Sequence, residues 1–285
     1  MTRRVALLGK PLRRRHSQVM HDAAFDAAGI DARYVLLELE ADEVQGAVAA
    51  ARGPEWLGLG VTAPYKPAVA ALCDEVEADA AEIGAVNNVV RTADGRLVGI
   101  NTDAPGFLAG AELAMGFPLR GAKVVVAGAG GVARAIVHAC LRAGASRVTV
   151  GSRDAAAAGE LVRRFRHGPF QRAESAGLGD DAFATRLGDA DLVVNATTVG
   201  MIDPGMAFPV EAVAEWGTVF DCVYVPAETP LLAAARARGL KAANGSEMLI
   251  AQAAIAFERW TGVGGMAGVM RDAVAPLLAD PAAMA

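Results

Sequence analysis

One lysine and one aspartate have the residue types and positions that proton transfer needs. Lys66 follows the apolar run Leu57–Val61, in the segment Val61-Thr62-Ala63-Pro64-Tyr65-Lys66-Pro67. Only four of the 27 Lys and Arg residues are lysines, which favours a specific need for an ammonium group, with a solvated loop lysine as the alternative. Asp103 follows the run Leu97–Ile100 and precedes a helical pattern, where an aspartate often caps the helix. Because both residues follow strands, they can also form a proton-transfer pair.

A glycine-rich turn marks a second site with chemical potential. The apolar run Lys123–Ala127 leads directly into Gly128-Ala129-Gly130-Gly131-Val132-Ala133 and then into a helical pattern. Gly128 permits a tight turn, Gly130 lets the backbone approach a pyrophosphate, and Ala133 is small enough for helix–strand packing. The helix N-terminus offers free N–H groups to an anion. The pattern predicts dinucleotide binding, with an ordinary glycine-rich βα turn as the alternative.

The end of the next strand, Arg147–Val150, bears on the choice of dinucleotide. An NAD enzyme usually has an acid there, which accepts a hydrogen bond from the ribose 2′-hydroxyl. This chain has Ser152 and Arg153 instead, and a guanidinium suits a 2′-phosphate, so NADP is favoured. Asp154 leaves two alternatives: it is a first-turn acid of the following helix, or it weakens the selectivity and admits NAD.

Short apolar runs alternate with helical patterns along the chain, which is typical of α/β proteins. The strand candidates of the first hundred residues are Arg4–Leu8, Tyr34–Leu39, Leu57–Val61, Val86–Arg91 and Leu97–Ile100, with a hairpin turn at Ala93-Asp94-Gly95. Helices are predicted over Ser17–Ala28, over Glu43–Ala51 and after Lys66.

A second unit is predicted to begin near Ala122 as a βαβ series with a parallel sheet. Its later strands are Leu192–Asn195 and Val219–Val223. The polar segment Arg163–Asp181 is predicted to be a helix end and a surface loop. The tail is predicted to be helical over Met248–Trp260, with Ser246 as a candidate N-cap, and over Gly268–Leu278.

Composition argues against several classes of protein. The 285 residues are 53 % hydrophobic, which excludes a mainly disordered chain, and the net charge of −5 argues against a nucleic-acid or anionic-membrane binder. No run reaches about 18 uninterrupted apolar residues, and the N-terminal apolar stretch is too short for a signal peptide. We therefore expect a soluble, cytoplasmic protein. The three cysteines and four histidines are scattered, which indicates reduced thiols and no metal site.

A series of short motifs runs through the chain in a fixed order. In the first hundred residues the motifs are Gly9-x-Pro11, Ser17, His21, Val61-Thr62-x-Pro64-x-Lys66, Gly84-Ala85-Val86-Asn87 and Asn101-Thr102-Asp103-x-x-Gly106. Later motifs are Gly128–Arg134, Asn195-Ala196-Thr197, Asp221-x-x-Tyr224-x-Pro226, Thr229-Pro230-Leu231 and Met248-Leu249-x-x-Gln252. In this order and spacing the chain resembles the shikimate dehydrogenase family, over nearly its whole length.

The resemblance implies an NADP-dependent, reversible oxidation of shikimate to 3-dehydroshikimate, a step of the shikimate pathway to chorismate and the aromatic amino acids. It implies an α/β fold with a discontinuous substrate domain, residues 1–103 and 243–285, in which C-terminal helices return to an N-terminal α/β part. Residues 104–242 would form a Rossmann NAD(P)-binding domain. The partner would be a small-molecule substrate, not a nucleic acid or a membrane, and the enzyme would be a monomer or a homodimer.

The resemblance also implies roles for single residues. The catalytic pair of the family falls on Lys66 and Asp103, with Lys66 either a proton acceptor or an electrostatic stabiliser. Side chains implied to hold the substrate are Ser17, Thr62, Asn87, Asp103, Tyr224 and Gln252. Residues implied to lie at the cofactor, besides the glycine-rich turn, are Ser152, Arg153, Asp154, Thr197, Gly245 and Met248.

The segment Arg13–Gln18 departs from the family pattern. Family members usually have two serines, one residue apart, that bind the substrate carboxylate. Here the first falls on Arg15 and the second on Ser17, and Gln18 replaces a proline. Arg15 is either a solvated residue of a basic loop or a bidentate partner of a carboxylate. Milder departures are Gly60 and Val225, where asparagine is common, Asn88, where threonine is common, and Asp154, in place of a small hydroxyl residue.

These departures leave the dehydrogenase chemistry intact but open the choice of substrate. Quinate, an aminoshikimate or another cyclic hydroxy-carboxylate, oxidised with NAD or NADP, is the alternative to shikimate. A non-catalytic NADP-binding regulatory module is a further alternative, and the presence of both Lys66 and Asp103 argues against it.

Overall fold

The protein is described by a computed structural model that covers residues 2–12, 15–116, 118–166, 172–201 and 203–279. The chain forms two compact units, residues 1–106 with 250–285, and residues 107–249. The resemblance implied changes of unit after residues 103 and 242.

Strands and helices alternate along the described chain, as the sequence predicts. The strands are β1 (Arg3–Gly9), β2 (Ala32–Glu38), β3 (Trp56–Val61), β4 (Glu75–Val76), β5 (Asn88–Arg91), β6 (Leu97–Ile100), β7 (Lys123–Ala127), β8 (Arg147–Ser152), β9 (Ala173–Gly177), β10 (Leu192–Asn195), β11 (Thr218–Asp221) and β12 (Lys241–Asn244). The helices are α1 (His16–Ala27), α2 (Val44–Ala50), α3 (Lys66–Ala70), α4 (Ala78–Ile83), α5 (Asp103–Met115), α6 (Gly131–Arg142), α7 (Ala155–Arg164), α8 (Asp181–Leu187), α9 (Pro230–Ala237), α10 (Ser246–Thr261) and α11 (Ala267–Ala279), with a 3₁₀ turn at Val210–Ala212.

The first unit contains a mixed six-stranded sheet in the order β2-β1-β3-β5-β6-β4. Strand β1 pairs in parallel with β2 and β3, while β5 pairs antiparallel with β3 and β6. Every residue of β3 is buried, as its continuous apolar-and-glycine sequence predicts for a central strand. The predicted hairpin between β5 and β6 is confirmed, with Gly95 at φ +84° in the turn.

Helix α11 and α10 from Ile250 onwards belong to the same unit as the N-terminal sheet, so C-terminal helices return to this unit as the resemblance implied. Helix α11 contacts α1, and Trp260 of α10 donates from Nε1 to the carbonyl oxygen of Val89 over 3.0 Å. This contact requires a glycine at position 58, because a Cβ there would overlap the Val89 oxygen and the Trp260 ring. The C-terminal segment is therefore fixed directly to the sheet that carries β3 and β5.

The second unit contains a parallel six-stranded sheet in the order β12-β11-β10-β7-β8-β9. The chain runs outward from β7 to β9, returns to the other side of β7 and continues to β12. This is the doubly wound order of Rossmann folds, in which ligands bind beyond the carboxyl ends of the strands on either side of the reversal. The predicted Rossmann unit is confirmed, and its reversal lies between β7 and β10.

One predicted loop contains a strand. The segment Arg163–Asp181 was expected to lack sheet structure, but β9 (Ala173–Gly177) pairs with β8 at the edge of the sheet. Its sequence, Ala-Glu-Ser-Ala-Gly, has no β-branched or aromatic residue, so it carries no strand signal. Backbone pairing with a neighbour, which local sequence does not encode, forms this strand.

Two further features bear on the class of protein. Among the described residues, each helix is too short or too polar to span a bilayer. In the described ranges, no disulfide joins Cys73, Cys140 or Cys222.

A buried histidine in the first unit makes stability depend on pH. The ring of His21 stacks on Tyr34 at 4.6 Å between ring centroids, and Nδ1 has no hydrogen-bond partner among the described residues. Burial lowers the pKa of His21 from 6.5 to about 3. The folded state therefore favours neutral His21, so the stability that this residue supports is complete above pH 6.5 and declines as the pH falls towards about 3.

We expect His21→Phe, which keeps an aromatic ring against Tyr34, to weaken this acid sensitivity. Urea unfolding of the wild type should lose more unfolding free energy between about pH 7 and about pH 4 than that of the variant. Equal losses in the two proteins would show that His21 is not the titrating group.

Candidate active site

Two strand ends bring Lys66 and Asp103 together. Strand β3 ends at Val61, and the turn that follows leads to Lys66 at the start of α3, whereas β6 leads to Asp103 at the start of α5. Lys66 donates from Nζ to Asp103 Oδ2 over 2.5 Å, and the two side chains are only 13 % and 10 % exposed. Lys66 is therefore not a solvated loop lysine. The two side chains are thus paired in a site that is largely shielded from solvent.

The helix that begins at Asp103 is capped by another residue. Asn101 Oδ1 accepts from the backbone N–H of Asp103 over 3.0 Å and from that of Ala104 over 3.3 Å. Its amide nitrogen donates to the carbonyl oxygen of Ala85 over 2.9 Å, which fixes the side chain. Asp103 is thus not the N-cap that sequence reasoning offered as an alternative. Its carboxylate oxygens accept from Lys66 and Asn87 instead.

Asn87 orients the free edge of the Asp103 carboxylate. Its Nδ2 donates to Asp103 Oδ1 over 2.8 Å and to Thr102 Oγ1 over 3.1 Å. Its Oδ1 accepts from the backbone N–H of Thr102 over 2.8 Å and from Asn88 Nδ2 over 3.0 Å. All four hydrogen-bonding positions of the amide are therefore used within the protein, which makes Asn87 a rigid support for Asp103.

Gln252 of α10 joins this cluster through Thr102. The Thr102 hydroxyl donates to Gln252 Oε1 over 3.3 Å. Helix α10 approaches α5 closely enough for this contact because residue 106 is glycine. A Cβ on Gly106 would lie 2.6 Å from Gln252 Cβ and 2.9 Å from its backbone nitrogen. The close packing of α10 against α5 thus explains the glycine of the Asn101-Thr102-Asp103-x-x-Gly106 motif.

The predicted dinucleotide turn lies at the reversal of the parallel sheet. Gly128 follows β7 with φ +123°, and a Cβ on it would lie 2.8 Å from the Ala196 carbonyl oxygen, beyond the end of β10. A Cβ on Gly130 would meet no described atom within 4 Å, so space is open in front of α6. Helix α6 begins at Gly131 with neither a side-chain cap nor an acidic residue in its first turn. These features fit a bound phosphate group.

A buried polar network supports the strand ends opposite this turn. Thr197 donates from its backbone N–H and its hydroxyl to Asn195 Oδ1, over 3.0 and 2.6 Å. Asn195 donates to Asp221 Oδ1 over 2.9 Å, and Thr229 donates to Asp221 Oδ2 over 2.7 Å. Burial raises the pKa of the Asp221 carboxyl above its ordinary value. The network holds Thr197 in place, with Cγ2 3.2 Å from where a Gly128 Cβ would lie.

The three residues Ser152, Arg153 and Asp154, at the end of β8, have different contacts. Asp154 is the N-cap of α7, and its Oδ1 accepts from the backbone N–H groups of Ala156 and Ala157 over 2.9 and 3.1 Å. Ser152 Oγ accepts from the backbone N–H of Asp154 over 3.2 Å. Arg153 is exposed and forms no ion pair with any residue in the described ranges. The guanidinium is thus available to a ligand, whereas Asp154 Oδ1 is engaged in capping its helix.

Three further predicted residues belong to the second unit and not to the unit that contains Lys66. Tyr224 is half-buried after β11. Gly245 has a packing reason of its own, because a Cβ there would overlap the Cys222 carbonyl oxygen. Met248 is 7 % exposed, and its backbone nitrogen would lie 2.6 Å from a Cβ on Gly110.

Comparisons with known proteins agree with this architecture. The family model described as shikimate dehydrogenase substrate binding domain matches residues 7–89, and that described as shikimate 5′-dehydrogenase C-terminal domain matches residues 245–275. A shikimate dehydrogenase (NADP(+)) of Methanopyrus kandleri is 38 % identical over 95 % of this chain and 94 % of its own length. This chain belongs to the shikimate dehydrogenase family.

Two solved structures show how similar the fold is. A Thermus thermophilus shikimate 5-dehydrogenase in complex with NADP(H) and shikimate has a TM-score of 0.86 and 35 % identity, over 96 % of this chain and 99 % of its own. A quinate dehydrogenase of Corynebacterium glutamicum in complex with NAD has a TM-score of 0.89 and 34 % identity, over 97 % of this chain and 99 % of its own. The fold is thus shared by family members named for different substrates.

The departure of this shikimate dehydrogenase family member at Arg15 is coupled to that at Gln18. Arg15 precedes α1, is exposed, and donates from Nε to Gln18 Oε1 over 2.9 Å. Gln18 in turn donates from Nε2 to the carbonyl oxygen of Tyr34 over 3.1 Å. Through these two hydrogen bonds, Gln18 links the Arg15 side chain to the backbone of β2. Ser17 is half-buried in the first turn of α1, and Arg13 and Arg14 lie outside the described residues.

The departure at Gly60 is explained by a tyrosine that sequence reasoning missed. The hydroxyl oxygen of Tyr34 lies 2.6 Å from where a Cβ on Gly60 would be. An asparagine, common in the family, has no room there. Thr62, two residues on, is half-buried at the end of β3, where its Cγ2 would overlap a Cβ on Gly9. The glycine of the Gly9-x-Pro11 motif therefore lets the first loop lie against Thr62.

Proposed function

We propose that this protein oxidises shikimate reversibly to 3-dehydroshikimate with NADP. The observation that carries the proposal is the ion pair of Lys66 and Asp103, which lies at a cluster of amide and hydroxyl groups in the first unit. The name of the M. kandleri relative and the description of the T. thermophilus complex support both the substrate and the cofactor. The family membership supports a place in the shikimate pathway.

Lys66 and Asp103 supply the acid–base part of the reaction. Oxidation of a secondary alcohol removes a hydride from the ring carbon and a proton from its hydroxyl. Bound NADP supplies the hydride acceptor. The hydroxyl proton passes either to Lys66 Nζ in its neutral amine form, or to the Asp103 carboxylate while the Lys66 ammonium stabilises the developing alkoxide. In the reverse direction the pair returns the proton to the oxygen of the ketone.

The remaining polar residues position the substrate. We assign contacts with substrate hydroxyls to Thr62, Asp103 and Gln252, and a supporting role to Asn87, whose amide is fully engaged with protein groups. Ser17, Arg15 and Tyr224 are assigned to the substrate carboxylate. The Nε atom of Arg15 is engaged by Gln18, which directs the two Nη groups elsewhere and suits bidentate pairing with a carboxylate.

The second unit fits the dinucleotide. We assign the pyrophosphate to the turn from Gly128 to Ala133, which includes Gly130 and Gly131, and the adenosine 2′-phosphate to Ser152 and Arg153. Asp154 contributes by capping α7 through Oδ1, which accepts from two backbone N–H groups. Thr197, Gly245 and Met248 are assigned to the rest of the cofactor. The fit favours NADP over NAD.

Quinate oxidation is the second candidate function. It is favoured by Arg15, which no longer offers the small hydroxyl contact typical of the family, and by the similarity to a quinate dehydrogenase.

For the molecule as a whole, we propose a cytoplasmic enzyme that works as a monomer or a homodimer. In domain terms, residues 1–103 and 243–285 bind the substrate and residues 104–242 bind the dinucleotide.

Initial rates of cofactor reduction with each pair of shikimate or quinate and NADP or NAD test this function. We expect the highest kcat/KM with shikimate and NADP. Quinate carries an additional hydroxyl on the carbon that bears the carboxylate, so it places a new polar group where Arg15 and Ser17 are assigned. Preference for quinate would establish the second candidate. Absence of turnover with both acids, combined with NADP binding in calorimetry, would contradict both.

Matched substitutions at neighbouring positions test the assignment of the dinucleotide. We expect Arg153→Ala to raise KM for NADP about 10- to 100-fold, because a charge-assisted contact is lost, with KM for NAD nearly unchanged. Asp154→Ala should leave KM for NADP within about twofold and lower the unfolding free energy by about 1 kcal/mol through loss of the helix cap. Equal effects of Arg153→Ala on the two cofactors would contradict the 2′-phosphate contact.

A further inference from the structure

Asn88 is a buried residue of the first unit to which the function above gives no task. It begins β5, is 4 % exposed, and follows Asn87 directly. Its Nδ2 lies 3.0 Å from Asn87 Oδ1 and 2.9 Å from Thr102 Oγ1. Asn88 therefore donates both amide hydrogens to residues that contact Asp103 or Gln252.

Two neighbouring groups can hydrogen bond in one direction only, and they identify the oxygen end and the nitrogen end of the Asn87 amide. The orientation of the Asn88 amide then follows. The backbone N–H of Thr102 can only donate, and it points at one end of the Asn87 amide over 2.8 Å, so that end is the oxygen. The ion-paired carboxylate of Asp103 can only accept, and it lies 2.8 Å from the other end, which is therefore the NH₂ group. The atom of Asn88 that faces the Asn87 oxygen must then be a donor, its Nδ2.

The same reasoning extends to Gln252. The Thr102 hydroxyl oxygen accepts from Asn87 Nδ2 and from Asn88 Nδ2, which uses both of its lone pairs. Its own proton must go to the remaining neighbour, Gln252 Oε1, at 3.3 Å. The Gln252 amide therefore has its oxygen towards Thr102 and its nitrogen away from it.

We propose that Asn88 is a positioning residue for the reaction, because its two donated hydrogens fix the direction of the hydrogen bonds from Asn87 and Thr102 to Asp103 and Gln252. Without them, Thr102 has a free lone pair that can accept from Gln252 Nε2, so Thr102 no longer selects one orientation of the Gln252 amide. A threonine at this position has one hydroxyl hydrogen and can donate to only one of the two acceptors. Asparagine therefore holds the cluster more completely than the residue common in the family.

The inference rests on the proposed function for the identity of the substrate, and three substitutions test it. Asn88→Leu keeps the approximate volume and removes both donors. Asn88→Asp keeps the shape and places an oxygen against Asn87 Oδ1. Asn88→Thr keeps one donor. We expect kcat/KM for shikimate to fall about 10-fold for Leu, about 100-fold for Asp and about 3-fold or less for Thr, with KM for NADP unchanged in all three.

Thr149→Val is the matched control for loss of a buried hydrogen bond. Thr149 is 1 % exposed in β8 of the other unit and donates to Glu174 Oε1 over 2.7 Å. This variant should lose stability to a similar degree and keep wild-type kinetics. A fall in kcat/KM for shikimate equal to that of Asn88→Leu would show that general destabilisation explains the effect and would overturn the proposal.

A measurement independent of turnover separates this inference from the proposed function. The side-chain amide protons of Asn87, assigned in NMR spectra by their loss in Asn87→Asp, should exchange with water about 10-fold faster in Asn88→Leu than in the wild type or in Thr149→Val. Wild-type inactivity on shikimate would contradict the function and leave this readout intact. Unchanged amide exchange in Asn88→Leu, or wild-type kcat/KM in that variant, would overturn the role of Asn88.

Discussion

The ion pair of Lys66 and Asp103 imposes the main constraint on the first unit. Removing two charges from water costs several kcal/mol per ion, which only close pairing and further hydrogen bonds offset. The pairing requires β3 and β6 to end at the same edge of the sheet. They do so because β5 lies between the two strands and is antiparallel to both. Asn101 takes over the capping of α5, so that both oxygens of Asp103 remain for Lys66 and Asn87.

The second unit has a geometry that suits an anion at the glycine-rich turn. It uses the reversal of a parallel sheet, where strand ends separate and a helix N-terminus is exposed. Gly128 and Gly130 keep this region free of side chains, and the network from Thr197 to Asp221 supports the opposite strand end. In the proposed function, backbone geometry would provide the phosphate contacts and the exposed Arg153 would distinguish between the two cofactors.

Several elements could be predicted from the sequence because one local signal determined them. Strands β7 and β10 each contain an uninterrupted run of at least three apolar residues, and their predicted bounds agree with the structure. Strand β9 could not be predicted, since only its pairing with β8 defines it. The cap of α5 could not be predicted either, because Asn101 and Asp103 are equally good capping residues. The role of Asn88 depends on the direction of hydrogen bonds, which requires the positions of side-chain atoms and not only their order.

A double-mutant cycle on the ion pair tests the account most directly. It compares kcat for shikimate oxidation in Lys66→Met, Asp103→Asn and the double variant, with NADP binding measured by calorimetry. If the two residues act as one unit, each single change should lower kcat about 10²- to 10⁴-fold, the double variant should be little worse than the worse single one, and NADP binding should persist. Turnover near the wild-type rate in Lys66→Met, or full additivity of the two losses, would contradict the account.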